Sequence, residues 1–110
     1  MSDPSHELAS LRSLCKDAEL WEEGGNSLVY LPALKIQVAG VGTQVDALLC
    51  PRKYDGYDTR LFLAKPFPVK GQNWKAFTIC GRTWHAFSYQ GVSASLPWLE
   101  ILANHLQVLK

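Results

Sequence analysis

The segment Gly81–Tyr89, with the sequence GRTWHAFSY, is denser in chemically versatile side chains than any other part of the chain. It combines an imidazole, a hydroxyl and a guanidinium with several aromatic rings. A strand-like run, Phe77–Cys80, precedes it, and an amphipathic helical pattern follows it. The sequence therefore predicts a compact module that uses this segment as its working surface.

Length and composition predict one globular domain over residues 1–110, because this is close to the commonest domain size. The hydrophobic fraction of 47% and the charged fraction of 19% are ordinary for a soluble protein. A net charge of +1 gives no electrostatic reason to expect nucleic acid. No apolar run is long enough to span a membrane, and the polar N-terminus does not resemble a signal peptide.

The cysteines Cys15, Cys50 and Cys80 are widely spaced and form neither a Cys-x-x-Cys nor a zinc pattern. An odd number at such spacing favours a reducing cytoplasm over a disulfide framework. Each is expected to be a small buried hydrophobe. We therefore predict a cytoplasmic protein without a cofactor or a metal site.

The first half of the chain predicts a helix followed by strands. Asp3 and Pro4 are typical of a helix start, and the helix is expected to end before Gly24. Apolar residues at short or alternating spacing then predict three strands, Ser27–Leu31, Leu34–Val38 and Val45–Cys50. Their short connections require antiparallel pairing.

The second half predicts a fourth strand, Arg60–Ala64, ended by the prolines of Lys65–Pro68. Trp74–Tyr89 is interrupted by Gly81, so it predicts either a hairpin or a strand followed by an ordered loop. A final helix is indicated by an apolar stripe, with Ser95 as its expected cap. The stripe consists of Leu99, Leu102, Leu106 and Leu109.

This order of elements resembles the ubiquitin-conjugating (E2, or UBC) superfamily, in particular its compact bacterial E2-like branch. Val45–Tyr57 runs into the proline-rich Pro66–Pro68, as the third strand of that family does. Gly81 and the His85 loop stand where the family has Gly-x-x-Cys, and Trp98–Leu109 is similar to the helix that follows. The resemblance implies a UBC-like α+β fold. It would have an N-terminal helix, a four-stranded antiparallel meander, an irregular proline-rich and catalytic-type loop, and a C-terminal helix.

The resemblance also implies a function. The chain would be an E2-like component of a bacterial ubiquitin-like conjugation pathway, carrying or positioning a modifier received from an E1-like adenylating enzyme. Its partners would be that enzyme and the ubiquitin-like protein. The modifier tail would lie near Asn73, Trp74, Arg82, Trp84 and Tyr89. The family's catalytic cysteine falls on Trp84 here, so acyl transfer itself is left open.

Several chemistries of the segment compete. Cys80 is one candidate nucleophile, since a thiolate is a good acyl acceptor. Ser88 is another, with His85 as its base, and His85 could also act alone. Alternatively, the aromatic side chains serve packing or recognition. The chain would then be a noncatalytic protein-interaction module on the same fold. A small-molecule pocket beside Trp84 is a third interpretation.

Overall fold

A computed structural model describes residues 4–54, 56–67, 74–87, 89 and 91–110. The described elements are α1 (Pro4–Leu11), β1 (Glu19–Glu23), β2 (Asn26–Val38), β3 (Val41–Cys50), β4 (Arg60–Leu63), β5 (Trp74–Ile79), β6 (Arg82–Phe87) and α2 (Trp98–Gln107). These strands form one antiparallel sheet in the order β1-β2-β3-β4-β6-β5.

The expected UBC-like fold, with a four-stranded meander between helices, is wrong. The described part of the chain is mostly a six-stranded antiparallel sheet with two short helices. The predicted first helix stops at Leu11, and Glu19–Glu23 instead pairs with β2 as strand β1. Gly24 and Gly25 have φ of 58° and 82°, the conformation of a tight two-residue hairpin turn, which forces this pairing.

Two further differences complete the sheet. The predicted strands Ser27–Leu31 and Leu34–Val38 form the single strand β2, with a register irregularity between Leu31 and Leu34. There the Ala33 N–H donates to a carboxylate oxygen of Asp46, 2.8 Å away. Of the two predictions for Trp74–Tyr89, the hairpin is correct, and β6 pairs with β4. Long-range pairing thus joins segments that look separate in the sequence.

The sheet buries a hydrophobic cluster on each face. The helix-side core contains Leu11 and Leu102 from the two helices, packed with Leu34, Leu63 and other strand residues. The opposite core has no helix among its described members. It is built around residues from the strands and the segment that follows β3. Its buried members are Leu28, Leu48, Cys50, Phe62, Ile79, Trp84 and Ala86.

Curvature of the sheet closes this second core. In a flat sheet, the four strand spacings from β1 to β6 would separate them by roughly 19 Å. The Trp21 and Trp84 ring centroids are nevertheless only 6.3 Å apart. The β5–β6 turn also reaches β1, where the Cys80 N–H donates to the Glu23 carboxylate. The two hairpins therefore meet over the second core.

The final helix forms where the apolar stripe predicted it, but Ser95 does not cap it. The carboxylate of Glu7 on α1 accepts a hydrogen bond from the Trp98 N–H at 3.1 Å. Leu102 is buried as expected, whereas Leu106 is only half-buried. Neither helix of the described residues is long and apolar enough to cross a membrane.

Candidate functional site

Cys80 lies in a tight turn between β5 and β6. Ile79 pairs with Arg82, so Cys80 and Gly81 alone form the turn, with φ of 50° and 77°. The Cys80 thiol is exposed, in contrast to the buried Cys15 and Cys50, so the expectation of a buried cysteine is wrong at this position. Its sulfur lies 4.0 Å from the Glu22 carbonyl oxygen.

The surroundings of Cys80 disfavour a thiolate. Partial desolvation, followed by the nearby Glu23 carboxylate, raises the pKa of the Cys80 thiol above its ordinary value. The thiolate, not the thiol, is the nucleophile. An activated cysteine is usually found beside a cation or a helix N-terminus, whereas this one has an anion beside it.

Trp84 and His85 point to opposite faces of the sheet, because successive strand residues alternate. Trp84 is completely buried in the second core, where its indole N–H donates to the Ile79 carbonyl at 3.3 Å. His85 is half-buried and pairs with Leu63 and Ala76. His85 lies three residue steps along β6 from Arg82 at the turn, which is roughly 10 Å of backbone. The structure therefore does not bring Cys80 and His85 together as a nucleophile and base.

Arg82 covers the mouth of the second core. Its guanidinium lies 4.6 Å from the centre of the Trp84 ring and donates to the Asp46 carboxylate at 3.1 Å and to the Tyr30 hydroxyl at 3.3 Å. Trp21 stacks on Tyr30, with 4.2 Å between ring centroids. The hydrogen bond that Asp46 accepts from the Ala33 N–H lowers the pKa of the Asp46 carboxyl group, and the contact with Arg82 lowers it further. The Arg82 guanidinium therefore makes these hydrogen bonds and ring contacts within this chain.

Of the remaining predicted site residues, Trp74 and Tyr89 lie apart from that turn. Trp74 packs edge-on against Phe87, with ring centroids 5.2 Å apart, and its buried indole N–H meets no acceptor among the described residues. Tyr89 packs against His105 at 5.7 Å. The predicted residues Asn73 and Ser88 lie outside the described residues. The Cys80–Tyr89 segment therefore divides between the two faces of the sheet.

A buried polar contact lies beneath α2. The Thr59 hydroxyl donates to the Val92 carbonyl at 2.9 Å, since a carbonyl can only accept. The same hydroxyl must then accept the N–H of His105 Nε2, also at 2.9 Å, which places a proton on Nε2. Burial, and then the charge of Arg60, lower the pKa of His105 to about 4. His105 is thus a buried polar residue of the fold, only 2% exposed.

An open groove lies between α2 and the β2–β3 hairpin, away from Cys80. We call it the α2–hairpin groove, and it has a volume of about 690 Å³. Leu14, Ile36 and Leu106 provide apolar lining, and its charged lining residues are Lys35 and Lys110. Leu14 is 57% exposed. No group of histidine, cysteine and carboxylate side chains suited to a metal ion occurs within the described ranges.

Sequence reasoning missed this groove. The apolar stripe predicted that Leu106 is buried, and the predicted first helix extended past Leu14. The observed α1 ends at Leu11 and leaves the Leu14 side chain uncovered. Comparison of the chain with protein-family models, curated proteins and solved structures finds no match.

Proposed function

We propose that this chain is a noncatalytic protein-interaction module. Its α2–hairpin groove receives an apolar segment of a partner polypeptide that also carries acidic side chains. The observation that carries the proposal is the groove itself, in which Leu14, Ile36 and Leu106 lie beside the positively charged Lys35 and Lys110.

The apolar lining supplies the binding energy in this proposal. Exposed apolar surface is costly in water, and its burial contributes roughly 25 cal/mol for each Å² removed from solvent. Leu14 is 57% exposed and Leu106 is half-buried, so a bound apolar side chain would cover surface that the fold leaves open. Grooves of this kind commonly accept a few apolar anchors from a peptide.

In this proposal, the two lysines determine which partner segments the groove favours. Lys35 comes from β2 and Lys110 from the chain beyond α2, and both side chains are exposed. Complementary charge favours an acidic segment and disfavours a basic one, chiefly through association rate and specificity. An apolar peptide with flanking carboxylates is therefore the partner chemistry that fits.

Acyl transfer has less support. The Cys80 thiol has a raised pKa, and His85 lies farther along β6 on a different side of the hairpin from the buried Trp84. The E1-like enzyme and the ubiquitin-like modifier remain predictions, since the fold that implied them is not the one observed. A cytoplasmic location likewise stays a prediction.

A pair of labelled peptides tests the proposed binding. One alternates Leu and Glu, and its matched control alternates Leu and Lys; binding is followed by fluorescence anisotropy. We expect the acidic peptide to bind more tightly, and the double variant Lys35→Glu/Lys110→Glu to weaken it by about tenfold. Lys53→Glu, a charge reversal outside the groove, should leave the affinity unchanged. Equal binding of both peptides, or insensitivity to the double variant, would contradict the proposal.

A separate assay tests the absence of catalysis. The chain is incubated with ATP, an E1-like adenylating enzyme and a ubiquitin-like modifier, and is then resolved with and without thiol. We expect no adduct on this chain. A thiol-sensitive adduct that Cys80→Ala abolishes would show that Cys80 is a nucleophile after all.

A further inference from the structure

The β2–β3 hairpin extends beyond the strands on either side of it. Within this hairpin, β1 pairs only with Asn26–Tyr30 of β2, and β4 pairs only with Ala47–Cys50 of β3. Within the described residues, Val41–Val45 of β3 therefore has a strand partner on one side only, which is β2. Val41 is 67% exposed, and Gly42 and Gln44 are exposed as well. This part of β3 is an open edge.

The hydrogen bonds show which backbone groups lie along that edge. The Asp46 carbonyl accepts the Ala64 N–H at 2.9 Å, so the backbone groups of Asp46 face the β4 side. Backbone groups of successive strand residues alternate in direction. Gly42 and Gln44 therefore direct their N–H and C=O groups to the same side, past the point where β4 has ended.

The chain's own sequence prevents β4 from covering this edge. Ala47 pairs with Leu63, and Asp46 bonds to Ala64. Continuing this register would set residue 66 opposite Gln44 and residue 68 opposite Gly42. Both positions are proline, which has no N–H to donate. Among the residues that the structure describes, the edge therefore stays open to another strand.

This edge also lacks the features that usually prevent strand pairing. Exposed edges are commonly protected by charged side chains or proline. β1 carries glutamates, β5 carries Lys75, and the free part of β2 carries Pro32 and Lys35. Val41–Val45, with the sequence VGTQV, has neither a charge nor a proline.

We propose that the open edge of β3 pairs with the same edge of a second copy of this chain. The two strands run antiparallel about a two-fold axis at Thr43. Gly42 then stands opposite Gln44 of the other copy, and each such pair exchanges both of its backbone hydrogen bonds. The register follows from the alternation above, since Gly42 and Gln44 supply the outward groups.

The side chains of the segment are self-complementary in this register. Thr43 faces Thr43 of the second copy, and Val41 faces Val45. These are pairs without mutual hydrogen bonds, in which side chains approach most closely, and Thr–Thr and β-branched pairs stabilise antiparallel strands. The pairing also covers the exposed Val41. An acidic partner finds no complementary charge on this edge, which favours the second copy as its occupant.

The inference does not depend on the proposed binding of acidic segments. Thr43 also lines the α2–hairpin groove, so the grooves of two paired copies would adjoin. The isologous contact is closed, as two-fold symmetry requires, and leads to dimers rather than fibres.

Charge pairs at the two-fold axis give the sharpest test. Sedimentation velocity over a wide concentration range should show a concentration-dependent dimer. Thr43→Lys and Thr43→Glu each place like charges opposite one another and should raise the dimer Kd by about tenfold or more. An equimolar mixture of the two variants should regain the dimer. The same changes at Gln37, on the other strand of the hairpin, should have no effect.

A proline pair provides the second measurement. Gln44→Pro removes an outward N–H without breaking a β2–β3 hydrogen bond and should abolish the dimer. Its matched control is Lys35→Pro at the cross-strand partner, whose backbone groups face the outer side of β2. Circular dichroism checks that both remain folded. The proposal would be overturned if the wild type were a monomer at every concentration, or if its dimer were insensitive to the changes at positions 43 and 44. It would also be overturned if the mixture of Thr43→Lys and Thr43→Glu stayed monomeric.

Discussion

Replacing His105 by glutamine should remove an acid-sensitive part of the protein's stability. The buried imidazole is neutral and donates from Nε2 to Thr59, and its pKa is lowered to about 4 by burial and then by Arg60. In the unfolded chain it returns to an ordinary value of about 6.5. This histidine therefore binds a proton more readily in the unfolded state than in the folded state. The stability that depends on its neutral form is fully present above pH 6.5 and is lost as the pH falls towards 4.

The magnitude follows from that difference in pKa. A full shift of about 2.5 units corresponds to about 3 kcal/mol, reached at or below pH 4. At pH 5 the loss should be about 2 kcal/mol, because the unfolded state is then almost fully protonated at this position and the folded state is not. Either value is a large part of the stability of a domain of this size.

Urea unfolding followed by tryptophan fluorescence measures this directly. The difference between the free energies of unfolding of the wild type and of His105→Gln should change by about 2 kcal/mol from pH 7.5 to pH 5, with the wild type losing stability relative to the variant. His6→Gln, at an exposed histidine, is the matched control and should follow the wild type. If the free energies of unfolding of the wild type and of His105→Gln differ by the same amount at both pH values, the conclusion that His105 is buried as a neutral imidazole is wrong.

Three further results are expected. Glu23→Gln should speed alkylation of Cys80 by iodoacetamide at neutral pH, measured by mass spectrometry, because Glu23 contributes to the raised thiol pKa; an unchanged rate would contradict this. Trp84→Ala should lower the free energy of unfolding by about 3–5 kcal/mol in urea, because it leaves a large cavity in the second core. A loss below 1 kcal/mol would mean that the core is not closed as described. Asp46→Ala should cost about 1–2 kcal/mol, and more than Arg82→Ala, because the Ala33 N–H loses its acceptor whereas the exposed ion pair contributes little. Thermal unfolding of both variants would show equal losses if the Ala33 contact were unimportant.

Local sequence patterns predicted some of these helices and strands, whereas pairing between distant segments determined the others. The alternation of Leu34, Ile36 and Val38 indicated its strand, and the leucine stripe indicated α2. β1 offered no such signal, since its side chains are exposed or half-buried and only its pairing with β2 makes it a strand. The sequence therefore predicts one helix from Asp3–Pro4 to the residues before Gly24, where the structure has α1 followed by β1.

The candidate site shows the same limit. The density of chemical groups in Gly81–Tyr89 was visible in the sequence, but which groups share a face was not. Once Arg82–Phe87 is a strand, Trp84 enters one core while His85 faces the other side. The α2–hairpin groove combines residues far apart in sequence, Leu14, Ile36 and Leu106, and its existence depends on where α1 ends. The order of elements suggested an E2-like fold because order alone does not specify which strands pair.

The claim that the α2–hairpin groove, and not the Cys80 turn, is the working surface can be tested by one nuclear magnetic resonance titration. The acidic leucine–glutamate peptide is added to the ¹⁵N-labelled protein. We predict that the amide signals of Ile36, Thr43 and Leu106 shift with added peptide while those of Cys80 and His85 stay in place. Shifts confined to the Cys80–His85 segment, with the groove signals unmoved, would contradict the account.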